Sequence, residues 1–366
     1  MMIPRPLLAF VLASIACGSA PAQDLVSSAP ATEVRDGFLK LIDRPRIPLD
    51  SRAEPLREGE TEKEAPRVLE RLSFAAEKRA DGSLERVPAL VLRPEADPSK
   101  PRRPAVIVLH GTGGNKEGSL PWLRDLARCG ILGLAIDGRY HGERAGGLPG
   151  TEAYNEAIVR AFRTAAGQPQ EHPFYFDTAW DVMRAVDYLR GRPDIDPDRI
   201  GLIGFSKGGI EAWLAGAADE RILVTVPAIS VQSFRWSLDH GQWQARANTI
   251  KVASEAVAKD LGKSTVDAET CRALWDKVIP HILDAYDCPS MLRLFAGRPL
   301  LILNGEEDPN CPIGGAEVAF RSARKAYEEQ GASDRLRIHV APKVAHQVTS
   351  EQAKEARDWF VRWLKP

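Results

Sequence analysis

Residues 200–213 read IGLIGFSKGGIEAW. The first six are an apolar run of strand length, and the residues from Gly209 onward take up a helical pattern. Gly204-Phe205-Ser206-Lys207-Gly208 therefore sits at a strand-turn-helix junction. A G-x-S-x-G pentapeptide recurs by chance, but this setting is the one a nucleophile elbow requires. A serine there takes a strained backbone conformation on a sharp turn, and glycines two before and two after remove side chains that would collide. Ser206 is the candidate nucleophile.

Working outward, apolar runs of strand length alternate with longer segments of helical period, the pattern of a mostly parallel sheet covered on both faces. The candidate strands are 68–76, 87–93, 105–110, 131–137, 200–205, 223–228, 299–304 and 336–341. Several are continuous apolar runs, as buried parallel strands should be. Thr178 with Asp181, and Thr349 with Gln352, read as capping boxes, and Gly130 stops a helix through Trp122 and Leu126. The expectation is an α/β domain over residues 66–366 with an eight-stranded, mostly parallel sheet and helices on both faces. Segments 145–176 and 231–297 are too long for simple connections and read as lid or specificity insertions, the second a helical cap. Its aromatics Phe234, Trp236, Trp243 and Trp275 read mainly as packing of that cap.

A serine hydroxyl is a poor nucleophile until a base takes its proton, so a histidine and a carboxylate are expected on loops after later strands, in the order Ser, Asp, His. After strand 299–304 comes Gly305-Glu-Glu-Asp308-Pro, where Glu306 and Glu307 compete with Asp308 for the acid role. After strand 336–341 comes Pro342-Lys-Val-Ala-His346, directly before the last helix. Of the seven histidines, His346 alone lies between the last strand and the last helix. A tetrahedral intermediate also needs two N–H donors, and losing one costs about 100- to 1000-fold in rate. Lys207 N–H is one candidate. Thr112 N–H, in the glycine-rich loop His110-Gly-Thr-Gly-Gly-Asn115, is the other, with His110 ordering that loop. Asp137-Gly-Arg-Tyr-His-Gly-Glu-Arg144 reads as a buried ion-pair network shaping the site. The Lys207 side chain reads as pointing to solvent, with a role in favouring an anionic substrate as the alternative.

The chain of 366 residues carries a formal net charge of -1, which argues against the broad basic surface that nucleic acid requires. Arg5, the apolar run 7–17 and Ala20-Pro-Ala22 read as a signal peptide over residues 1–22, and export to the periplasm or beyond is expected. That apolar run is too short to span a bilayer. A lipoprotein anchor on Cys17 is a lesser alternative. Residues 23–65, rich in Pro, Ala, Arg and Glu, read as an N-terminal arm packed on the domain. Export would permit a Cys271–Cys288 bridge worth about 3 kcal/mol, although four remaining cysteines leave the pairing open. With no CxxC or HExxH pattern, no metal or other cofactor is expected.

With HGTGG, DGRYHGER, GFSKGG, NGEEDPNCP and the terminal VAHQ in this order, the chain resembles the α/β-hydrolase superfamily over about residues 66–366. Within it, the resemblance is to the dienelactone hydrolase, acetyl xylan esterase and prolyl oligopeptidase-like branch, and most of all to a single-domain group with DSRYHGER-like and GESLGG-like signatures. It implies the α/β-hydrolase fold and a Ser-Asp-His triad, carried onto Ser206, Asp308 and His346. Dienelactone hydrolases use a cysteine nucleophile, so the serine here disfavours that reaction. Where many relatives have glycine before the catalytic histidine, this chain has Ala345. Cleavage of a small or carbohydrate-linked carboxylic ester is the leading expectation. An exopeptidase or amidase, with Glu152, Glu156 or Glu211 holding a substrate ammonium, is the alternative, and a binding protein that kept the fold without catalysis is a third.

Overall fold

The computed structural model describes residues 26–57, 67–94, 99 and 102–366. The expected signal peptide at 1–22, Cys17 included, lies outside these residues, as do residues 23–25 and 58–65 of the arm.

Among the described residues one sheet holds nine strands: β1 Arg52–Glu54, β2 Arg67–Lys78, β3 Leu84–Pro94, β4 Arg103–Leu109, β5 Leu132–Ile136, β6 Ile195–Phe205, β7 Ile222–Ala228, β8 Leu300–Gly305 and β9 Leu336–Ala341. Their order is β1-β2-β3-β5-β4-β6-β7-β8-β9. The pairs β1/β2, β2/β3 and β3/β5 are antiparallel, and every pairing from β5 onward to β9 is parallel. Eight strands coincide with the apolar runs. The ninth, β1, belongs to the arm and was not expected: its three residues carry no apolar run, and backbone pairing with Leu72 and its neighbours alone makes it a strand.

Among the described residues twelve α-helices complete the fold: α1 Ala31–Ile42, α2 Leu120–Arg128, α3 Glu152–Arg163, α4 Phe176–Arg190, α5 Lys207–Ala218, α6 Phe234–Asp239, α7 Gln244–Asn248, α8 Lys251–Asp260, α9 Ala268–Val278, α10 Cys288–Leu292, α11 Ile313–Glu329 and α12 Ser350–Leu364. Alternate residues of each central strand feed opposite cores. Ala105, Ile107 and Leu109 of β4 join the core that holds α1, α4 and α5, whereas Val106 and Val108 join the one beneath α2 and α12. Burial on both faces is why these strands read as unbroken apolar runs. Val34, Phe38 and Ile42 of α1 enter the first core, which ties the arm to the domain.

Segment 231–297 folds as α6 to α10, and α3 packs on it. Asn155 of α3 accepts from the N–H of Ala253 on α8 at 3.0 Å, and Gln170 donates to the carbonyl of Lys277 at 2.7 Å. Phe234 and Trp275 are core, ring against ring at 5.2 Å, while Trp236 and Trp243 are half-buried.

Two expectations are corrected. Thr178 does not cap a helix: α4 starts at Phe176, and Thr178 accepts from the N–H of Arg139 at 3.1 Å while Asp181 takes the Arg139 guanidinium. The loop after β5 claims both would-be capping side chains. Thr349 and Gln352 do form a capping box, opening α12. Nor do Cys271 and Cys288 form a bridge; Cys129, Cys271, Cys288 and Cys311 are all free thiols. Cys271 and Cys288 belong to separate helices, α9 and α10, each buried in its own packing.

The base of the cap is held by Asp287, fully buried at the N-terminus of α10. It accepts from Ser233 Oγ at 2.5 Å, from the N–H groups of Phe234 and Arg235 at 2.9 and 3.3 Å, and from that of Cys288 at 2.8 Å. Burial pushes its carboxyl up to about 7, against the pull of those four donors. A carboxyl raised in the folded state binds its proton more tightly there than in the unfolded chain, whose value is about 3.9. Its contribution to stability is therefore full below about pH 4 and declines as pH rises toward 7. Thermal denaturation of wild type and D287N across that range should show the difference between them changing in this direction; a difference constant with pH would contradict it.

Candidate active site

The functional side chains gather at the carboxyl ends of β4, β6, β8 and β9, where an α/β sheet of this kind builds its sites. Ser206, between β6 and α5, has φ 54° and ψ -114°, a region that L residues rarely occupy. The glycines make this possible. A side chain on Gly204 would strike the backbone of Gly208, and one on Gly208 would lie 2.6 Å from the carbonyls of Leu109 and His110.

His346 Nε2 lies 2.8 Å from Ser206 Oγ, and its Nδ1 lies 2.8 and 2.9 Å from the two oxygens of Asp308. Nδ1–H donates to the carboxylate, which leaves Nε2 to accept from the serine hydroxyl. Asp308 is buried and Oδ1 also accepts from the N–H groups of Asn310 and Cys311, at 2.9 and 3.2 Å. Its competitors Glu306 and Glu307 are exposed, and Glu306 instead accepts from the N–H of Lys343 at 2.8 Å. That bond, with Glu306 N–H to Ala341 and Glu307 N–H to Val344, fastens the loop after β8 to the loop after β9 and sets Asp308 against His346.

Lys207 directly follows the serine, and the loop that carries Thr112 lies against it. Gly111 packs against Ser206, so that a Cβ there would be 3.6 Å from the serine Cβ. The N–H of Thr112 and that of Lys207, first residue of α5, have no acceptor among the described residues. His110 holds the loop in shape: its Nε2 accepts from the N–H of Gly138 at 3.0 Å and Nδ1–H donates to the Gly111 carbonyl at 2.7 Å. Burial, with the nearby Lys207 ammonium, pushes the His110 imidazole down to about 3, so it stays neutral in this role.

Beneath this loop lies the ion-pair network of segment 137–144. Asp137, fully buried, accepts from Lys116 Nζ and Lys116 N–H, both at 2.8 Å, and from the N–H of Glu143 at 3.1 Å. Arg139 grips Asp181 with both Nε and Nη2, at 2.9 and 3.1 Å, and Arg144 reaches the same carboxylate at 2.7 Å and Glu85 at 2.5 Å. Lys116 immediately follows the glycine loop, so these charges brace the backbone that carries Thr112.

Sequence reasoning missed two residues. The Lys207 side chain is not at the surface: it is buried and paired with Glu211, one turn along α5, at 2.5 Å. Burial pushes Glu211 above the usual carboxylate range, against the pull of Lys207. The i, i+4 spacing of Lys207 and Glu211 was the available signal. Arg246 on α7 is the other; it reaches the acid loop from the cap. Of the remaining histidines, His339 lies on Glu355, His172 on the Val278 carbonyl, His240 is stacked on Trp236 and exposed His281 pairs with Asp284, whereas buried His141 lies beside His110 with ring centroids 5.2 Å apart. Asp308, Cys311 and His346 present ligand atoms within 4.8 Å of one another, but Asp308 and His346 are committed to the hydrogen bonds of the serine row.

Two family models match, each over just under half of the chain: fungal glucuronyl esterase at residues 162–331 and acetyl xylan esterase at residues 68–236. The YtaP protein of Bacillus subtilis strain 168 is 27% identical over 293 residues, covering 76% of this chain and 84% of that protein. In seven further curated relatives the similar stretch spans 21% to 46% of their length. Among solved structures, acetyl xylan esterase 1 of Thermoanaerobacterium sp. JW/SL YS485 superposes with a TM-score of 0.61 at 17% identity, covering 94% of this chain and 99% of that one. A glucuronoyl esterase of Solibacter usitatus gives 0.61 at 17%, covering 89% and 91%.

Two substitutions test this architecture. G208A forces a Cβ onto two backbone carbonyls and should cost at least about 1–3 kcal/mol or abolish soluble expression. E211Q strands a buried ammonium and should cost about 3–5 kcal/mol in urea denaturation. Wild-type stability in either would refute the packing described.

Proposed function

We propose that this chain, a serine hydrolase with the α/β-hydrolase fold, cleaves carbohydrate-linked carboxylic esters through an acyl-enzyme on Ser206. The observation that carries the reading is the unbroken row from Ser206 Oγ through His346 to buried Asp308. His346 Nε2 takes the hydroxyl proton as Ser206 Oγ bonds to the ester carbon. Asp308 keeps the ring oriented and stabilises its positive charge. The carbonyl electrons move onto oxygen, where the N–H groups of Lys207 and Thr112 donate to it. Collapse breaks the carbon–oxygen bond to the alcohol, which leaves with the proton from His346. Water, deprotonated by the same nitrogen, then repeats the sequence and releases the acid.

Carbohydrate esters are favoured because glucuronoyl and acetyl xylan esterases recur among the relatives. The peptide-cleaving alternative needs a carboxylate free to hold an ammonium. Glu211 is spent on Lys207, and Glu152 and Glu156 lie exposed along α3. Residues 1–22 support export of the enzyme, which N-terminal sequencing of the protein from cell fractions would test by finding, or not finding, a start at Gln23.

A chain-length series of nitrophenyl esters together with acetylated sugars should be turned over by wild type. S206A should lose turnover by at least about 1000-fold, together with labelling by a fluorophosphonate probe. Labelling that survives the substitution would rule out Ser206 as the nucleophile.

A further inference from the structure

Arg246 sits on α7, the second of the cap's five helices, and is 2% exposed. It makes no ion pair with a carboxylate among the described residues. Its Nε has no hydrogen-bond partner, the Tyr175 hydroxyl lies beside the guanidinium, and one face of it stands over the Phe234 ring at 5.8 Å. Burying a guanidinium without a carboxylate partner costs several kcal/mol, and an apolar side chain of similar length would fill the space without that cost. What the guanidinium does have is a grip on the acid loop: Nη2 donates to the carbonyl of Asn310 at 2.8 Å and lies 3.4 Å from Cys311 Sγ.

The carbonyl of Asn310 and the N–H of Cys311 are two ends of one peptide group. That N–H donates to Asp308 Oδ1 at 3.2 Å. A cation on the carbonyl end polarises the peptide and strengthens the donor at the other end, as chains of hydrogen bonds do in a low dielectric. Cys311 Sγ in turn donates to the carbonyl of Ile229, just past β7, at 3.1 Å, and Pro309 and Pro312 restrict the loop on either side.

We propose that Arg246 is a positioning residue through which the cap, by way of the Asn310–Cys311 peptide, orients Asp308 and hence His346. The proposal rests on the reading of Ser206, His346 and Asp308 as a catalytic row. It makes the cap part of the proton-transfer apparatus as well as a wall around the substrate. Arg246 touches neither the nucleophile nor the base, so its loss should act on the rate of the chemical step and leave ground-state binding alone.

Purified full-length wild type, R246K, R246M and D308N are compared on the same nitrophenyl ester, with thermal melts and the low-field proton spectrum of the His346 Nδ1–H. R246M should lower kcat by ~10- to 100-fold, the scale of a small misplacement of catalytic groups, with KM within about threefold. Its low-field proton should shift or broaden. R246K, which keeps the charge but not the fork, should recover part of kcat and part of the signal. Should R246M fail to fold, R246K carries the test, with a kcat below wild type, an unchanged KM and a shifted proton expected. Wild-type kcat in R246M, or in R246K when it alone folds, overturns the proposal, as does a raised KM with unchanged kcat or an unmoved proton signal. D308N separates the two readings: if D308N loses turnover while Arg246 variants keep it, only the Arg246 proposal falls. If D308N itself turns over normally, the catalytic row falls.

Discussion

The backbone of Ser206, held at φ 54° and ψ -114°, is the constraint on which the rest of the structure depends. A residue in that region costs on the order of 1–3 kcal/mol and persists only where the surroundings over-determine it. Here they do. β6 lies between β4 and β7 in the parallel part of the sheet, and its last residues pair with Leu109 and Ala228 on either side. The N–H of Ser206 donates to the Ala228 carbonyl at 2.9 Å, and α5 begins at the next residue. The strain is borne by a rigid sheet on one side and a buried helix on the other. It turns the hydroxyl out of the sheet toward the loops that carry His346 and Gly111.

A strained candidate nucleophile is useful only if its surroundings are equally fixed, and here buried charge fixes the glycine loop beside it. Lys116, Asp137, Arg139, Arg144, Asp181 and Glu85 pair under the glycine loop, with Lys207 and Glu211 pairing next to the serine. Such buried pairs contribute little net stability, because desolvation offsets the attraction, but an arrangement with one partner missing is costly. They therefore select one geometry for the loop more than they add to folding. On the opposite side the acid and base loops are joined backbone to backbone, from Glu306 to Ala341 and from Glu307 to Val344.

The expectations that failed did so for one reason. Thr178 and Asp181 have the spacing of a capping box, Lys207 the look of a surface lysine after a turn, and Cys271 and Cys288 the separation of a bridged pair. In each a different partner claims the side chains: Arg139, 39 and 42 residues away, takes Thr178 and Asp181; Glu211, one turn along the same helix, takes Lys207; and separate helices take the cysteines. Local spacing is informative only where no other partner competes for the same side chain.

Strand content, the elbow, and the order of serine, acid and base could be read from the chain because each is written in contiguous residues. An apolar run long enough for a buried strand, glycines flanking a serine, and single loops between a strand and a helix need no tertiary information. Even Asp308 could be preferred over its neighbours, although its advantage becomes physical only when burial and the N–H groups of Asn310 and Cys311 are seen to converge on it. What only the tertiary structure decided is which groups meet across 64 or 140 residues: Arg246 on the carbonyl of Asn310, and His346 on Ser206. Those contacts depend on how the cap and the loops after β8 and β9 pack over one end of the sheet. That packing is set by the summed burial of many residues, and no short stretch encodes it.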